Sequence, residues 1–270
     1  MTTPLERALA LQAMHVPGDP LILPNAWDVA SARTVLASGA RAIATTSAGV
    51  AWSLGYRDGN ELTRDVALDT VRRIASSVSV PVTADIEGGY GETPDEVASS
   101  IASCIDAGAS GVNLEDSLRP IAEQERRIAA ACSAANEAGI PLFINARIDT
   151  HRLGDIGGDR WFDETVTRAA AYGRAGASGI FVLGALRVDT IERLADATTL
   201  PLNVAFGPGT LSISELARAG ASRISAGSSI AEAAYSLAQQ WATAMLETPD
   251  AAPASPPTLG WAALNQLIRD

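Results

Sequence analysis

One short pattern recurs five times along the chain and restricts the folds open to it. A stretch of helical periodicity ends in Ala-Gly or Ser-Gly, and an apolar, β-branched run follows at once. The instances are ASGARAIATT (37–46), DAGASGVNLED (106–116), EAGIPLFINAR (137–147), RAGASGIFVLG (174–184) and RAGASRISAG (218–227). Glycine just past a helix adopts the left-handed cap without a steric penalty. The run after it is apolar on both faces, which suits a strand buried in a parallel sheet. Two further strands start at a proline, SVPVTADI (79–86) and TLPLNVAF (199–206), and DPLILPNA (19–26) opens the series.

Helical periodicity occupies 27–38, 64–77, 94–107, 122–138, 163–175, 188–197, 212–219 and 229–246. Thr93-Pro94-Asp95-Glu96 is a helix start, with Thr as N-cap, Pro at the first position and acids in the first turn. Eight successive β-then-α units predict an α/β fold, a closed (β/α)8 TIM barrel. The barrel, with an N-terminal and a C-terminal helix, takes residues 1–248; residues 249–270 hold a Pro/Ala linker, PDAAPASPPT (249–258), and a short amphipathic helix over 259–269. That last helix either caps the barrel or reaches a neighbouring subunit.

Charge and composition remove several function classes. The net charge is −11, which argues against a nucleic-acid surface, because phosphate binding needs clustered cations. All 20 basic side chains are arginines. Without lysine there is no Schiff-base aldolase, no pyridoxal-phosphate enzyme and no Walker-type phosphate loop. Cys104 and Cys132 fall in helical segments and read as small buried hydrophobes rather than a disulfide framework. The N-terminus, MTTPLERALALQAM, lacks a signal-peptide pattern, and no run of about 20 apolar residues could span a membrane. The expectation is a cytoplasmic protein.

In a barrel of this kind the chemistry sits where strands end. Thr46-Ser47-Ala48-Gly49 follows the second strand, and a long loop then carries Asp58. Asp85-Ile86-Glu87-Gly88-Gly89-Tyr90-Gly91 follows the third, Glu115-Asp116 the fourth, Arg147-Ile148-Asp149-Thr150-His151 the fifth, and Asn203 lies on the seventh. Clustered carboxylates repel one another unless a cation joins them. Oxygen donors without thiolates point to Mg2+ or Mn2+. Ser47 and Gly49 suit a carboxylate, Arg147 is a clamp for carboxylate or phosphonate, and His151 is a surface histidine or a general acid–base. The glycines 88–91 are expected to let the backbone approach the site.

These residues resemble the isocitrate lyase/phosphoenolpyruvate mutase superfamily over 20–246. The carriers, in matching order, are LPNAWDVASAR (23–33), TTSAGVAWSLGYRD (45–58), ADIEGGYGETP (84–94), GVNLEDS (111–117), INARIDT (144–150), GASGIFVLG (176–184), PLNVAFGPG (201–209) and GASRISAG (220–227). The resemblance implies a Mg2+-dependent barrel acting on small oxo-acids, a homotetramer built as a dimer of dimers, with a C-terminal helix exchanged between paired subunits. It implies that Asp85 binds the metal most directly, and that Asp58, Glu87 and Glu115 complete the shell, partly through water. Thr46, Ser47, Ala48 and Gly49 then hold the substrate carboxylate, Arg147 contacts the oxo-acid, and Asn203 lines the far wall. Arg147, Glu115 and Asp58 are the residues placed at the reacting centre.

The chain also departs from that family. The lyases carry a Lys-Lys/Arg-Cys-Gly-His loop after the fourth-strand acids, and the mutases a lysine with an Asn-rich gate. Here the stretch is Asp116-Ser117-Leu118-Arg119-Pro120-Ile121-Ala122-Glu123. Ala44 stands where the mutases have an aromatic residue, and Leu183 where a histidine or acid is frequent. The expected function is a lyase cleaving a C–C bond, or decarboxylating, beside a 2-oxo- or 2-hydroxy-carboxylate. The alternatives are a P–C bond enzyme of the phosphonopyruvate hydrolase or mutase type, and an oxo-acid-binding protein with little catalysis.

Overall fold

A computed structural model describes residues 2–59, 61–156, 158–247 and 259–269. Helix α1 (Pro4–Ala13) comes first, followed by β1 (Leu21–Leu23), β2 (Asn25–Ala26), α2 (Val29–Ala37), β3 (Ile43–Thr45), α3 (Ser47–Ser53) and α4 (Arg64–Ser77). Then come β4 (Val82–Asp85), α5 (Pro94–Asp106), β5 (Gly111–Glu115), α6 (Ile121–Glu137), β6 (Phe143–Ile148) and a 3-10 turn over Thr150–Leu153. The chain continues with α7 (Asp159–Arg174), β7 (Gly179–Val182), α8 (Val188–Ala197), β8 (Leu202–Ala205), α9 (Ile213–Arg218), β9 (Arg223–Ser225), α10 (Ser229–Glu247) and α11 (Gly260–Arg269).

The nine strands pair in parallel in the order β1-β9-β8-β7-β6-β5-β4-β3-β2. β1 pairs with β9 and β2 with β3, so these two pieces are one stave broken at Pro24. Proline has no N–H to give a ladder, which explains the break. With β1 and β2 counted together, the barrel has the eight staves that the repeat predicts. The repeat's glycines, Gly39, Gly108, Gly139, Gly176 and Gly220, all have positive φ, between 67° and 103°. Helix α5 begins with the expected cap: Thr93 Oγ1 accepts from the Glu96 N–H (3.3 Å) and Glu96 accepts from the Thr93 N–H (2.9 Å).

One element differs from the sequence reading. The residues after β3 form helix α3 instead of a loop. Its sequence, SAGVAWS, is a poor helix former, and packing supplies what propensity does not. Ser47 to Ala51 are all buried, and a Cβ on Gly49 would lie 2.8 Å from the Trp27 Cβ.

The barrel floor is apolar. Leu11 of α1 closes it against Leu21, Leu23, Ala42, Ala44 and Phe143. The His15 ring stacks on Phe143 at 3.8 Å, and its Nδ1 lies 2.8 Å from the Leu11 carbonyl oxygen. Gly179 makes room for this plug, because a Cβ there would stand 2.8 Å from the Phe143 ring. Side chains two apart on a strand share a face. Above the floor the interior therefore turns polar, with Thr83, Asn113, Asn145, Asn203 and Arg223 buried one inward position below the strand ends. Cys104 is buried in α5, and Cys132 is half-buried in α6.

Helix α10 is nearly bare: Ala231 is its buried residue, while Ile230, Tyr235, Leu237, Met245 and Leu246 are exposed. Helix α11 lies on the outer wall against α2, where the Arg33 guanidinium donates to the Leu267 carbonyl (2.7 Å), so it does not cap the barrel. The Pro/Ala segment 249–258 lies outside the described residues. Among those described, no helix is long and apolar enough to cross a membrane.

Candidate active site

Asp85 is the last residue of β4 and is half-buried. Its N–H donates to Thr45 Oγ1 (2.8 Å). Its carboxylate accepts from the Ser47 N–H at the start of α3 (3.2 Å) and from the Glu87 N–H (3.4 Å). Glu87 is buried in the left-handed region, with φ 51°. Glu115 ends β5 and is buried, whereas Asp58 stands in an exposed loop. Burial pushes the Glu115 carboxyl up, Arg147 opposes this, and Asp149 and Asp85 add to it. The Tyr90 phenol is raised by burial and then by the charges of Glu87, Asp85 and Asp58. All four acids therefore act on one end of the barrel.

Arg147, near the end of β6, is held on two sides. Its NH1 pairs with Glu115 Oε2 (2.9 Å) and its Nε with Asp149 Oδ1 (2.8 Å). Burial alone lowers its pKa, but Glu115, Asp149 and Asp85 outweigh that and raise it. The NH2 edge of the guanidinium keeps no partner among the described residues. Asp149 is fully buried and also accepts from the Ser117 N–H (3.0 Å). Asp116, equally buried, accepts from the Leu118 N–H (2.9 Å), the Asp149 N–H (3.1 Å), Arg168 NH1 (3.0 Å) and the Tyr172 hydroxyl (2.7 Å). A buried carboxylate is tolerable when paired and hydrogen-bonded in this way. Ser117 and Leu118 are both left-handed (φ 46° and 59°), and helix α6 begins at Ile121. The chain thus leaves β5 in one tight turn, with no loop to fold over the acids.

Residues 11–246 match the phosphoenolpyruvate phosphomutase family. The chain belongs to this family. An uncharacterized protein of Mycobacterium tuberculosis (strain ATCC 25618 / H37Rv), Rv1998c, is 36% identical over 220 residues, 82% of either chain. The crystal structure of a Burkholderia cenocepacia J2315 protein is 41% identical, covers 90% of this chain and 100% of that one, and superposes with a TM-score of 0.84. The 2-methylisocitrate lyase of Escherichia coli (strain K12) is 29% identical over 205 residues, 72% of this chain and 67% of the lyase. This phosphomutase-family chain therefore sits in a superfamily of lyases and mutases, as the sequence resemblance implies.

Of the four acids expected at the metal, Asp85, Glu87 and Glu115 stand at the ends of the neighbouring strands β4 and β5, and Asp58 in the loop after α3. Among the described residues, no three His, Cys, Asp or Glu side chains are grouped for a metal ion. Glu115 is engaged by Arg147 and by the Ser117 hydroxyl (2.7 Å), and Asp58 faces solvent. The donor set fits an ion that takes one carboxylate directly and reaches the others through water, as Mg2+ does.

Other expectations shift as well. Thr46, Ser47 and Ala48 are buried around the first turn of α3, whose leading N–H groups have no partner within the helix. Gly49 is explained by its contact with Trp27. Glycines 88 and 91 also lie close to side chains: a Cβ would stand 2.9 Å from the Arg119 guanidinium and 2.5 Å from the Glu96 Cβ. Their carbonyls accept from Arg127 NH2 (2.7 and 2.6 Å), while Arg127 NH1 donates to the Glu92 carbonyl (2.9 Å). Asn203 lies in the polar layer, in register with Arg223, and its Oδ1 accepts from the Ser225 hydroxyl (3.2 Å). His151 Nδ1 stands 3.8 Å from Asp149, and burial lowers its pKa. Sequence reasoning placed Asp116 and Asp149 at strand ends without giving them partners, and it missed Arg127, Arg168 and Tyr172.

Proposed function

We propose that this chain is a Mg2+-dependent carbon–carbon lyase or decarboxylase acting beside the oxo or hydroxyl group of a small 2-oxo- or 2-hydroxy-carboxylate. The observation that carries this reading is Arg147, fixed between Glu115 and Asp149 with one guanidinium edge free beside Asp85. Asp85, with Glu87, Glu115 and Asp58, would hold a divalent cation, which when bound would supply Lewis-acid polarisation of the oxo-acid. The Ala48 and Gly49 N–H groups at the start of α3, beside the Ser47 N–H that Asp85 holds, receive the substrate carboxylate. As the C–C bond breaks, its electron pair moves toward the oxo oxygen, and the free edge of Arg147 stabilises that charge without having to reorganise. The 2-methylisocitrate lyase relative supports C–C chemistry and the phosphomutase family match supports P–C chemistry; the absent lysine gate weighs toward the former.

The test is a panel with Mg2+: oxaloacetate, methylisocitrate, dimethylmalate and phosphonopyruvate, scored for pyruvate. Turnover of a carbon substrate that is lost with EDTA and with Asp85→Ala supports the lyase. Turnover of phosphonopyruvate alone transfers the assignment to P–C chemistry. Tight binding of oxalate or pyruvate without turnover makes the chain an oxo-acid-binding protein, the reading that the short β5–α6 turn favours.

The assembly reading belongs here too. An apolar groove of about 580 Å³, lined by Ile22, Phe206, Pro208, Ile213, Ile224 and Ile230, runs along the barrel wall at the root of α10. The groove and the bare face of α10 complement each other, which supports exchange of α10 between paired subunits in a homotetramer. Gel filtration with light scattering at the monomer mass excludes it.

A further inference from the structure

One layer beneath the acids lies a set of polar side chains that the proposed chemistry does not use. Arg223 on β9 is fully buried. Its NH2 crosses the barrel to Asn113 Oδ1 on β5 (3.1 Å), an oxygen that also accepts from Asn145 Nδ2 (2.9 Å). The Nε and NH1 of Arg223 are buried without a partner. No carboxylate among the described residues lies within ion-pair distance of this guanidinium; the charge of Asp85 reaches it only from farther off. Asn203 Nδ2, on the neighbouring stave, and Thr83 Oγ1 are unpartnered in the same interior.

A guanidinium stays charged at neutral pH, and an unpaired buried charge is strongly disfavoured. The balance of donors and acceptors indicates what pairs with it. The unpartnered groups include two nitrogens of a cation, an amide nitrogen and a hydroxyl, against the acceptors Asn145 Oδ1 and His15 Nε2. Water gives as many hydrogen bonds as it takes, so it answers a donor excess poorly, whereas an anion answers it fully. Below, Leu21, Leu23 and Phe143 close the floor, which restricts the ligand to a very small one.

We propose that Arg223, Asn203 and Thr83 form a buried site for a monatomic anion of halide size, inside the barrel and beneath the acid cluster. The site involves neither Arg147 nor the acids; Asn203, expected on the far wall of the substrate site, is the one residue it shares with the lyase reading.

The probe is bromide. Crystals of the full chain are soaked in sodium bromide and anomalous data are collected at the bromine edge. The expected result is a peak beside Arg223 Nε and NH1; density there without anomalous signal overturns the proposal. In solution, melting is compared in sodium bromide and in sodium gluconate, which is too large for the interior, at equal ionic strength. With bromide at tenfold its Kd, the bromide-minus-gluconate difference in Tm should be about 3–5 °C more positive for wild type than for Arg223→Met. The isosteric Thr83→Val, which retains the guanidinium, should lose part of that difference and serves if Arg223→Met does not fold. Equal salt responses in wild type and variant overturn the proposal.

Discussion

The two sides of the barrel mouth are built differently. The ends of β4, β5 and β6 are cross-linked by charged side chains from distant parts of the chain: Asp116 binds Arg168 and Tyr172, 52 and 56 positions away, and Arg127 holds the Gly88 carbonyl across 39. Among the described residues, the ends of β7 and β8 lack such links. Beyond β7 the side-chain pair is Arg187 with its near neighbour Asp189, and beyond β8 Thr210 folds back on Gly207. One side is preorganised for charge, and the other is not. This is the division expected when gripping a common oxo-acid head and choosing its tail are separate tasks.

The comparison breaks first at Asp116. Asp116→Asn takes from the buried Arg168 the carboxylate it shares with Tyr172, leaving Glu164 as its charged partner, and should cost about 3 kcal/mol in urea unfolding. A loss below 1 kcal/mol means that the cross-linking does not organise this side. Next comes Arg147→Met, which removes the charge from the free edge. With any substrate that turns over, kcat/KM should fall by about 10²–10³, carried mainly by kcat. A rise in KM alone assigns Arg147 to binding.

The floor shared by both sides gives a pH test. Burial first, then Arg223, lowers the His15 pKa from 6.5 to about 3. Above pH 6.5 the ring is neutral in both folded and unfolded chains. Below it, the unfolded chain takes up a proton that the folded chain refuses, so stability is lost as pH falls from 6.5 toward 3, by at most about 1.4 kcal/mol per unit. His15→Gln should flatten that part of the profile; parallel profiles contradict the assignment. The smallest effect belongs to the unlinked side. Arg187→Ala breaks an exposed pair and should change stability by less than about 0.5 kcal/mol.

The parts of this molecule legible in sequence are those fixed by local chemistry. A glycine that must turn left-handed announces the end of a helix, so the staves after Gly108, Gly139 and Gly176 could be placed, and Thr93 announced α5. Helix α3 was not legible, because burial against Trp27 rather than propensity makes SAGVAWS helical. Asp85 and Arg147 could be found because strand ends are where barrels do chemistry. The support beneath Arg147 was not legible, since Asp116, which holds the Asp149 N–H, acquires its other partners only when α7 brings Arg168 and Tyr172 beside it. Arg223 was hidden inside what reads as an ordinary strand.

The tight turn at Ser117 and Leu118 bears on stereochemistry. A gating loop admits a proton to one face of a planar carbanion, and the product then inherits one hand. This turn provides no such cover. Under the lyase reading proposed above, a substrate branched at the reacting carbon should give a product with both configurations at that carbon in comparable amounts; a single configuration on chiral chromatography contradicts this.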